Sequence, residues 1–260
     1  MEGIKVYGIM VIYNKCLKDS KAYACLKEQD VELIICDNST KDYGNSSVAN
    51  EDGKTYISMG TNLGLSRAYN RALDYIFANY EPQGWDIICI FDDDTKIPSG
   101  YFEAIREHTG KILLPIVKDS VGIMSPVCMK KRTAVRFSSK EAASSAHGKI
   151  LSGINSAMAI RVEIFEKFRY NEEMFLDYID HQFIMDMRAQ GIYPKVIPVE
   201  VIQDFSAQSD SKEAARARFR IQKKDLRIFY KKNPILYYYI TIKKHLRLVI
   251  KYKDIKMMFC

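Results

Sequence analysis

Apolar and polar positions alternate along the first 130 residues in two distinct rhythms. Val6–Tyr13 (VYGIMVIY), Val31–Cys36 (VELIIC) and Asp86–Phe91 (DIICIF) are short, nearly continuous apolar runs. Runs of that length bounded by polar turns predict strands buried on both faces. Thr55–Ser58 reads as a shorter strand. Between them, Leu65, Ala68, Tyr69, Ala72, Leu73 and Ile76 recur at i, i+3, i+4 spacing and predict a helix over Leu65–Tyr80. Leu17–Gln29 and Gly100–Thr109 read as helices, Val121–Met124 as a strand, and residues 40–53 as a polar loop. Residues 130–150 are small and polar and read as mobile. Ile160–Phe168 and Phe183–Gln190 read as helices, and Tyr193–Ile202 as an extended stretch. Lys212–Lys232 and Leu236–Lys253 read as two basic helices parted at Asn233-Pro234.

Strands alternating with helices predict an α/β fold with right-handed crossovers, a Rossmann-like core and an open, mainly parallel sheet. Ligands of such sheets gather beyond the carboxyl ends of the strands. Polar clusters stand at four of those ends: Asn14, Asp37-Asn38, Thr61-Asn62 and Asp92-Asp93-Asp94.

Composition adds a division. The chain of 260 residues has a net charge of +7. Residues 211–260 hold 15 Lys/Arg and 3 Asp/Glu, a net of +12, which leaves −5 on the first 210. The reading is therefore a 1–210 domain followed by a basic, amphipathic helical tail at 211–260. Aromatic and aliphatic residues interleave with the tail's charges, the pattern of a helix lying at an anionic membrane surface. A homodimer through the tail's apolar stripe is the second reading. Nucleic-acid binding ranks below both, since no nucleic-acid motif accompanies the charge. Six scattered cysteines without a C-x-x-C pair speak against structural zinc or a disulfide framework. No signal-peptide pattern and no spanning apolar run are present, so the chain reads as cytoplasmic and peripheral at the inner membrane face.

On an extended backbone Asp92 and Asp94 point one way and Asp93 the other. Two same-side carboxylates suit Mg²⁺ or Mn²⁺, although a solvated turn would use the same residues. Asp37 is, on its own, equally a turn cap.

Val11-Ile12-Tyr13-Asn14, Asp37-Asn38-Ser39, Asn62-Leu63-Gly64-Leu65-Ser66-Arg67-Ala68-Tyr69-Asn70 and Phe91-Asp92-Asp93-Asp94-Thr95 follow one another in order. Together with Phe175–Phe183 they resemble the family 2 glycosyltransferases of GT-A fold, in particular bacterial rhamnosyltransferase-like members, over about residues 5–206. The resemblance implies an inverting hexosyltransferase that moves a sugar from a nucleotide-sugar donor to a glycan or lipid-linked saccharide. dTDP-rhamnose leads as donor, with UDP-hexose or UDP-galactofuranose next. It implies nucleotide-sugar contacts from Tyr13, Asn14, Asp37, Asn62, Gly64, Asn70, Asp92 and Asp93. Asp94 and Asp92 become ligands of Mn²⁺ or Mg²⁺, and Asp180 the general base, with Asp177 as runner-up. Charge at a helix start would also explain Asp177 and Asp180.

Two positions depart from the pattern. Gln182 stands where relatives carry a second acid. In Val201-Ile202-Gln203-Asp204-Phe205-Ser206, Gln203 replaces a metal-ligating histidine. His181 receives no role. A nucleotidyltransferase would also set paired aspartates at a sheet edge, but usually with a Gly-rich phosphate loop that Gly3 and Gly8 do not form. A non-catalytic nucleotide- or lipid-binding subunit is the remaining alternative.

Overall fold

The structure is a computed structural model that describes residues 3–130, 132–203 and 211–259. Strand β1 (Val6–Ile12) is buried along nearly its whole length. It pairs in parallel with β2 (Glu32–Asp37) and β4 (Ile87–Asp92), so Ile9 lies between Ile34 and Ile90. Gly8 is confined there. A Cβ would come within 3.1 Å of Leu33 and 3.3 Å of Phe91. Helix α1 (Lys21–Leu26) links β1 to β2, and Ser20 caps it by accepting from the Tyr23 N–H at 3.1 Å. It is shorter than the expected Leu17–Gln29, because Leu17–Asp19 is a separate 3₁₀ turn.

Helix α2 (Asn45–Glu51) occupies the segment expected to be loop. It buries only Asn45 and Ala49, so no apolar stripe announces it. Strand β3 (Thr55–Ser58) pairs in parallel with β2. Helix α3 (Leu65–Asn79) buries Ala68, Tyr69, Ala72, Leu73 and Ile76 against the sheet, the face that the spacing predicts.

After β4 come β5 (Thr95–Lys96), α4 (Tyr101–Glu107) and β6 (Ile112–Asp119). The order then runs β7 (Gly122–Ser125), β8 (Val127–Lys130), β9 (Thr133–Arg136), α5 (Lys140–Ser144), β10 (Leu151–Ser152), β11 (Met158–Arg161) and α6 (Val162–Phe165). Two expectations are corrected here. Residues 130–150 carry a strand and a helix. No expectation covers central strand β6, whose apolar run is broken by Pro115. Ile160–Phe168 is not one helix: Ile160 belongs to β11, which lies antiparallel between β4 and β6, facing Ile88 and Ile112.

Helix α7 (Ile179–Ala189) and strand β12 (Lys195–Gln203) follow. β12 runs parallel to β6, with a register shift between Val196 and Glu200 that brackets Pro198 and lies beside Pro115. A proline has no N–H for the ladder, and a bulge accommodates that loss.

The main sheet has the order β3-β2-β1-β4-β11-β6-β12-β5, with β7 on β6; β10-β8-β9 form a small second sheet. The long pairings are parallel, and β11, β7 and β5 join antiparallel. This is a mixed, mainly parallel α/β sheet covered by helices on both faces, the GT-A architecture expected. One face carries α3, α7 and the end of α8 (Lys212–Phe229); the other carries α1 and α4. Helix α9 (Pro234–Tyr252) begins at Asn233, whose side chain accepts from the Leu236 N–H at 3.1 Å. The boundary at 210 separates the chain by charge. In space, Leu226, Phe229 and Tyr230 are buried in the larger core.

Candidate active site

The strand order reverses at β1, with β2 on one side and β4 on the other, and the predicted polar groups meet beyond these carboxyl ends. Asp92 ends β4. Its Oδ2 accepts from the Ser156 hydroxyl and from Gln203 Nε2, the latter at 3.0 Å. The same Nε2 donates to Asp94 Oδ1 at 3.0 Å, and Gln203 Oε1 lies 2.8 Å from the Ser156 hydroxyl oxygen, an alternative acceptor for its one hydrogen. Gln203 is held there by β12, which pairs Gln203 with Thr95 on β5. Asp93 turns elsewhere and pairs with Lys15 Nζ at 2.6 Å.

Burial pushes the Asp92 carboxyl up to about 6; Ser156 and Gln203 oppose the rise, and Asp94 and Asp180 add to it. Burial raises Asp94 as well. Among the described residues no group of three His, Cys, Asp or Glu could hold a metal. The donor set nevertheless suits a hard cation. Two carboxylates converge, their charge is poorly compensated, and substrate phosphates commonly complete such a shell. Gln203 presents its amide nitrogen to both. As a ligand it would have to turn its oxygen inward, and amide orientation follows the network around it. Asp204–Ser206 of the same motif lie outside the described residues.

The second loop is tied to the first. Asn14 adopts positive φ (48°), accepts from the Thr40 N–H at 2.9 Å, and its own N–H donates to Ser39 at 2.8 Å. Asp37 is buried and fully engaged by Ser39 N–H, Asn45 and the Tyr56 hydroxyl at 2.8, 2.8 and 3.0 Å. Tyr13, by contrast, is half-exposed.

Asn62 accepts from the Gly64 N–H at 3.1 Å rather than capping α3. Gly64 occupies the N-cap at φ 87°. A Cβ there would sit 2.6 Å from the Phe175 carbonyl oxygen, which accepts from the Leu65 N–H at 2.7 Å. Gly64→Ala is therefore expected to lower stability by at least about 2 kcal/mol, from the left-handed backbone and the clash together. Thermal denaturation would measure it, and an unchanged melting temperature would refute the packing described. Asn70 is spent on the opposite loop: it donates to the Tyr170 carbonyl at 2.9 Å and to Glu172 at 3.1 Å.

Asp180 lies in the first turn of α7 and accepts from the His181 N–H at 2.6 Å. Burial raises its carboxyl, while His181 opposes the rise. It shares an environment with Asp92: both push up the buried Tyr69 phenol, whose main cause of elevation is burial. Asp177 differs, since Arg218 occupies both its oxygens at 2.5 and 2.8 Å. Gln182 is taken by Asp186 at 2.7 Å, and His181 Nδ1 meets the Ser152 hydroxyl at 2.7 Å.

Residues 9–169 match the family described as Glycosyl transferase family 2. The chain belongs to that family. A curated relative is the dTDP-rhamnosyl transferase RfbF of Shigella flexneri, 26% identical over 200 residues that cover 74% of this chain. The match spans 66% of that relative's own length. Among solved structures, a 4-diphosphocytidyl-2C-methyl-D-erythritol synthase aligns at 10% identity and TM-score 0.45, over 84% of this chain and 99% of that one. An inositol-1-phosphate CTP transferase from T. maritima aligns at 12% and 0.44, over 85% and 98%. Both likenesses are too remote to bear on activity.

Four participants act through bonds that sequence reasoning does not supply. Ser156 and Gln203 gain meaning only through their shared bonds to Asp92. Asn38 links two loops, donating to the Gly64 carbonyl at 3.2 Å. Asp225 of α8 accepts from the backbone N–H groups of Phe175, Leu176 and Asp177 at 2.7, 2.9 and 2.8 Å, fixing the loop ahead of Asp180. One signal for it exists: an acid among Lys223, Lys224 and Arg227.

Proposed function

We propose that this glycosyltransferase is inverting and moves a sugar from a nucleoside-diphosphate donor to a hydroxyl of a glycan or lipid-linked saccharide in bacterial cell-surface polysaccharide synthesis. dTDP-rhamnose is the leading donor, supported by the activity that RfbF's name states. The observation that carries the reading is the convergence of Asp92 and Asp94 on Gln203, with Asp180 close enough to perturb Asp92.

Tyr13 is free to cover the base. Asn14, Asp37 and Asn62 act by shaping the loops around the nucleotide, and Gly64 by admitting the Phe175 backbone. Asp93 holds Lys15. Asn70 anchors the loop at Tyr170. Asp92 and Asp94 would hold Mn²⁺ or Mg²⁺, which when bound neutralises the departing diphosphate. Asp180 takes the acceptor's hydroxyl proton as that oxygen bonds the anomeric carbon, and the electron pair of the broken bond leaves with the diphosphate. Asp177 is a poorer base because Arg218 saturates it.

No helix of the described residues is long and apolar enough to cross a membrane. We place α9 at the surface of the inner membrane face through exposed Ile235, Tyr239, Ile242, Leu246 and Ile250, which recur on one helical side. A homodimer through that stripe is the competing use.

Isothermal titration of dTDP and UDP tests the donor reading. Binding is expected, tightened by Mn²⁺, and Asp94→Asn should abolish the tightening. Failure of both nucleotides to bind, with and without Mn²⁺, would sink it.

A further inference from the structure

Helix α8 presents two opposite charges to one short loop. Asp225 accepts from the Asp177 backbone N–H at 2.8 Å, and Arg218, about two turns earlier on the same helix, donates to both Asp177 carboxylate oxygens at 2.5 and 2.8 Å. Asp177 is thus held by its backbone and by its side chain at once. Tyr178, which follows it at φ 64° and starts α7, packs its ring 5.0 Å from that of Phe229 at the end of α8. The two aspartates of the motif are therefore treated differently. Asp177 has a two-pronged cationic partner, whereas Asp180 forms no ion pair with any described residue.

Two carboxylates near one another hinder each other's ionisation, and a fixed cation on one relieves the other. Arginine suits that task, because it stays charged over the whole working range and its fork matches a carboxylate. Asp180 feels its neighbour: burial is the main cause that raises its carboxyl, His181 opposes the rise, and Asp177 adds to it. Asp180 is also faced by Asp92 at the end of β4 and by the phenols of Tyr69, Tyr170 and Tyr178. Arg132 between β8 and β9, and Lys243, Lys244 and Arg247 of α9, line the hollow that Asp177 and Asp180 share. Of these charged groups, only Arg218 is bonded to Asp177 through its side chain.

We propose that Arg218 is a positioning residue for sugar transfer: it holds Asp177 against α8 and cancels its charge, which leaves Asp180 the one aspartate of the motif able to take a proton. The part in transfer rests on Asp180 as the base; the coupling between the ion pair and Asp180 does not. Arg218 keeps 42% of its side chain exposed, so it can be replaced without opening the core.

The test is an NMR titration of the Asp180 carboxyl in the full chain carrying carboxyl-labelled aspartate, with the signal assigned by its loss from Asp180→Asn. Arg218→Gln leaves the Asp177 charge uncompensated and should move the Asp180 midpoint up by about half a pH unit or more. Asp177→Asn leaves the Arg218 charge uncompensated and should move the midpoint down by about as much. Combining the two changes should restore the parent midpoint, and Arg218→Lys should stay near it because a cation remains. The acid limb of kcat should follow the midpoint in direction, the contribution of Asp92 being common to all these proteins. An arginine that only braces the loop would give no shifts of opposite sign and no recovery in the double variant, which overturns the inference. Should Arg218→Gln fail to fold, Asp177→Asn decides alone, since an unmoved or raised midpoint there overturns it as well. Unmoved midpoints beside an inactive Asp180→Asn defeat this inference and leave the base reading standing. Full activity in Asp180→Asn defeats the base reading and, with it, the part of Arg218 in transfer.

Discussion

Asp180→Asn is expected to lower kcat by about 10²–10⁴-fold, the range that a positioned proton acceptor contributes, while nucleoside-diphosphate binding stays intact. Asparagine preserves the shape and can still accept from the His181 N–H, but it cannot take a proton. The pH dependence supplies a second readout. An exposed aspartate titrates near ~3.9, and burial raises Asp180 above that. The base works only when ionised, so the parent's rate should climb with pH along an acid limb displaced above ~4. The residual rate of the variant should keep only the part of that limb that Asp92 contributes. Steady-state kinetics over a pH series, with dTDP titrations alongside, measures both. Full activity in Asp180→Asn would exclude the assignment, and Asp177→Asn would then be the next variant to assay.

How far the sequence reached depends on where the information sits. β1, β4 and α3 were legible because burial on two faces or on one stripe imposes an unmistakable period on a contiguous stretch. β11 was misread because its apolar positions run on into α6, and a short strand buried between two others resembles a buried helical turn. β6 was missed at Pro115, where a bulge in the neighbouring strand absorbs the lost donor. The site shows the same contrast. Asp92, Asp93, Asp94 and Asp180 can be singled out because each stands at an element's edge in a short motif. The bonds joining Ser156 and Gln203 to Asp92 span 64 and 111 residues, and no local pattern encodes a partner that distant.

Asp225→Ala should be the most damaging substitution outside the strand-end cluster. The carboxylate is fully buried, and three backbone donors depend on it. Each buried N–H left without a partner costs about 1–3 kcal/mol, and relaxation with water entry recovers part of that. A loss of about 3 kcal/mol is expected, read by urea denaturation. kcat should fall beyond what the unfolded fraction explains, because residues 175–177 lead directly into the turn that carries Asp180. Asp225→Asn keeps one acceptor oxygen in place and should lie between the variant and the parent. If Asp225→Ala matched the parent in both measurements, the loop would have to be held by something else.

The Asp225 clamp also has a consequence for how the molecule acquires its shape. Its three bonds join positions 48 to 50 residues apart, across a helix, a strand and the bulge. Closing so long a loop carries an entropic cost that must be met before the contacts return anything. The loop ahead of Asp180 therefore takes its shape only once α8 has docked, and a chain cut near residue 210 would lack the carboxylate that fixes it.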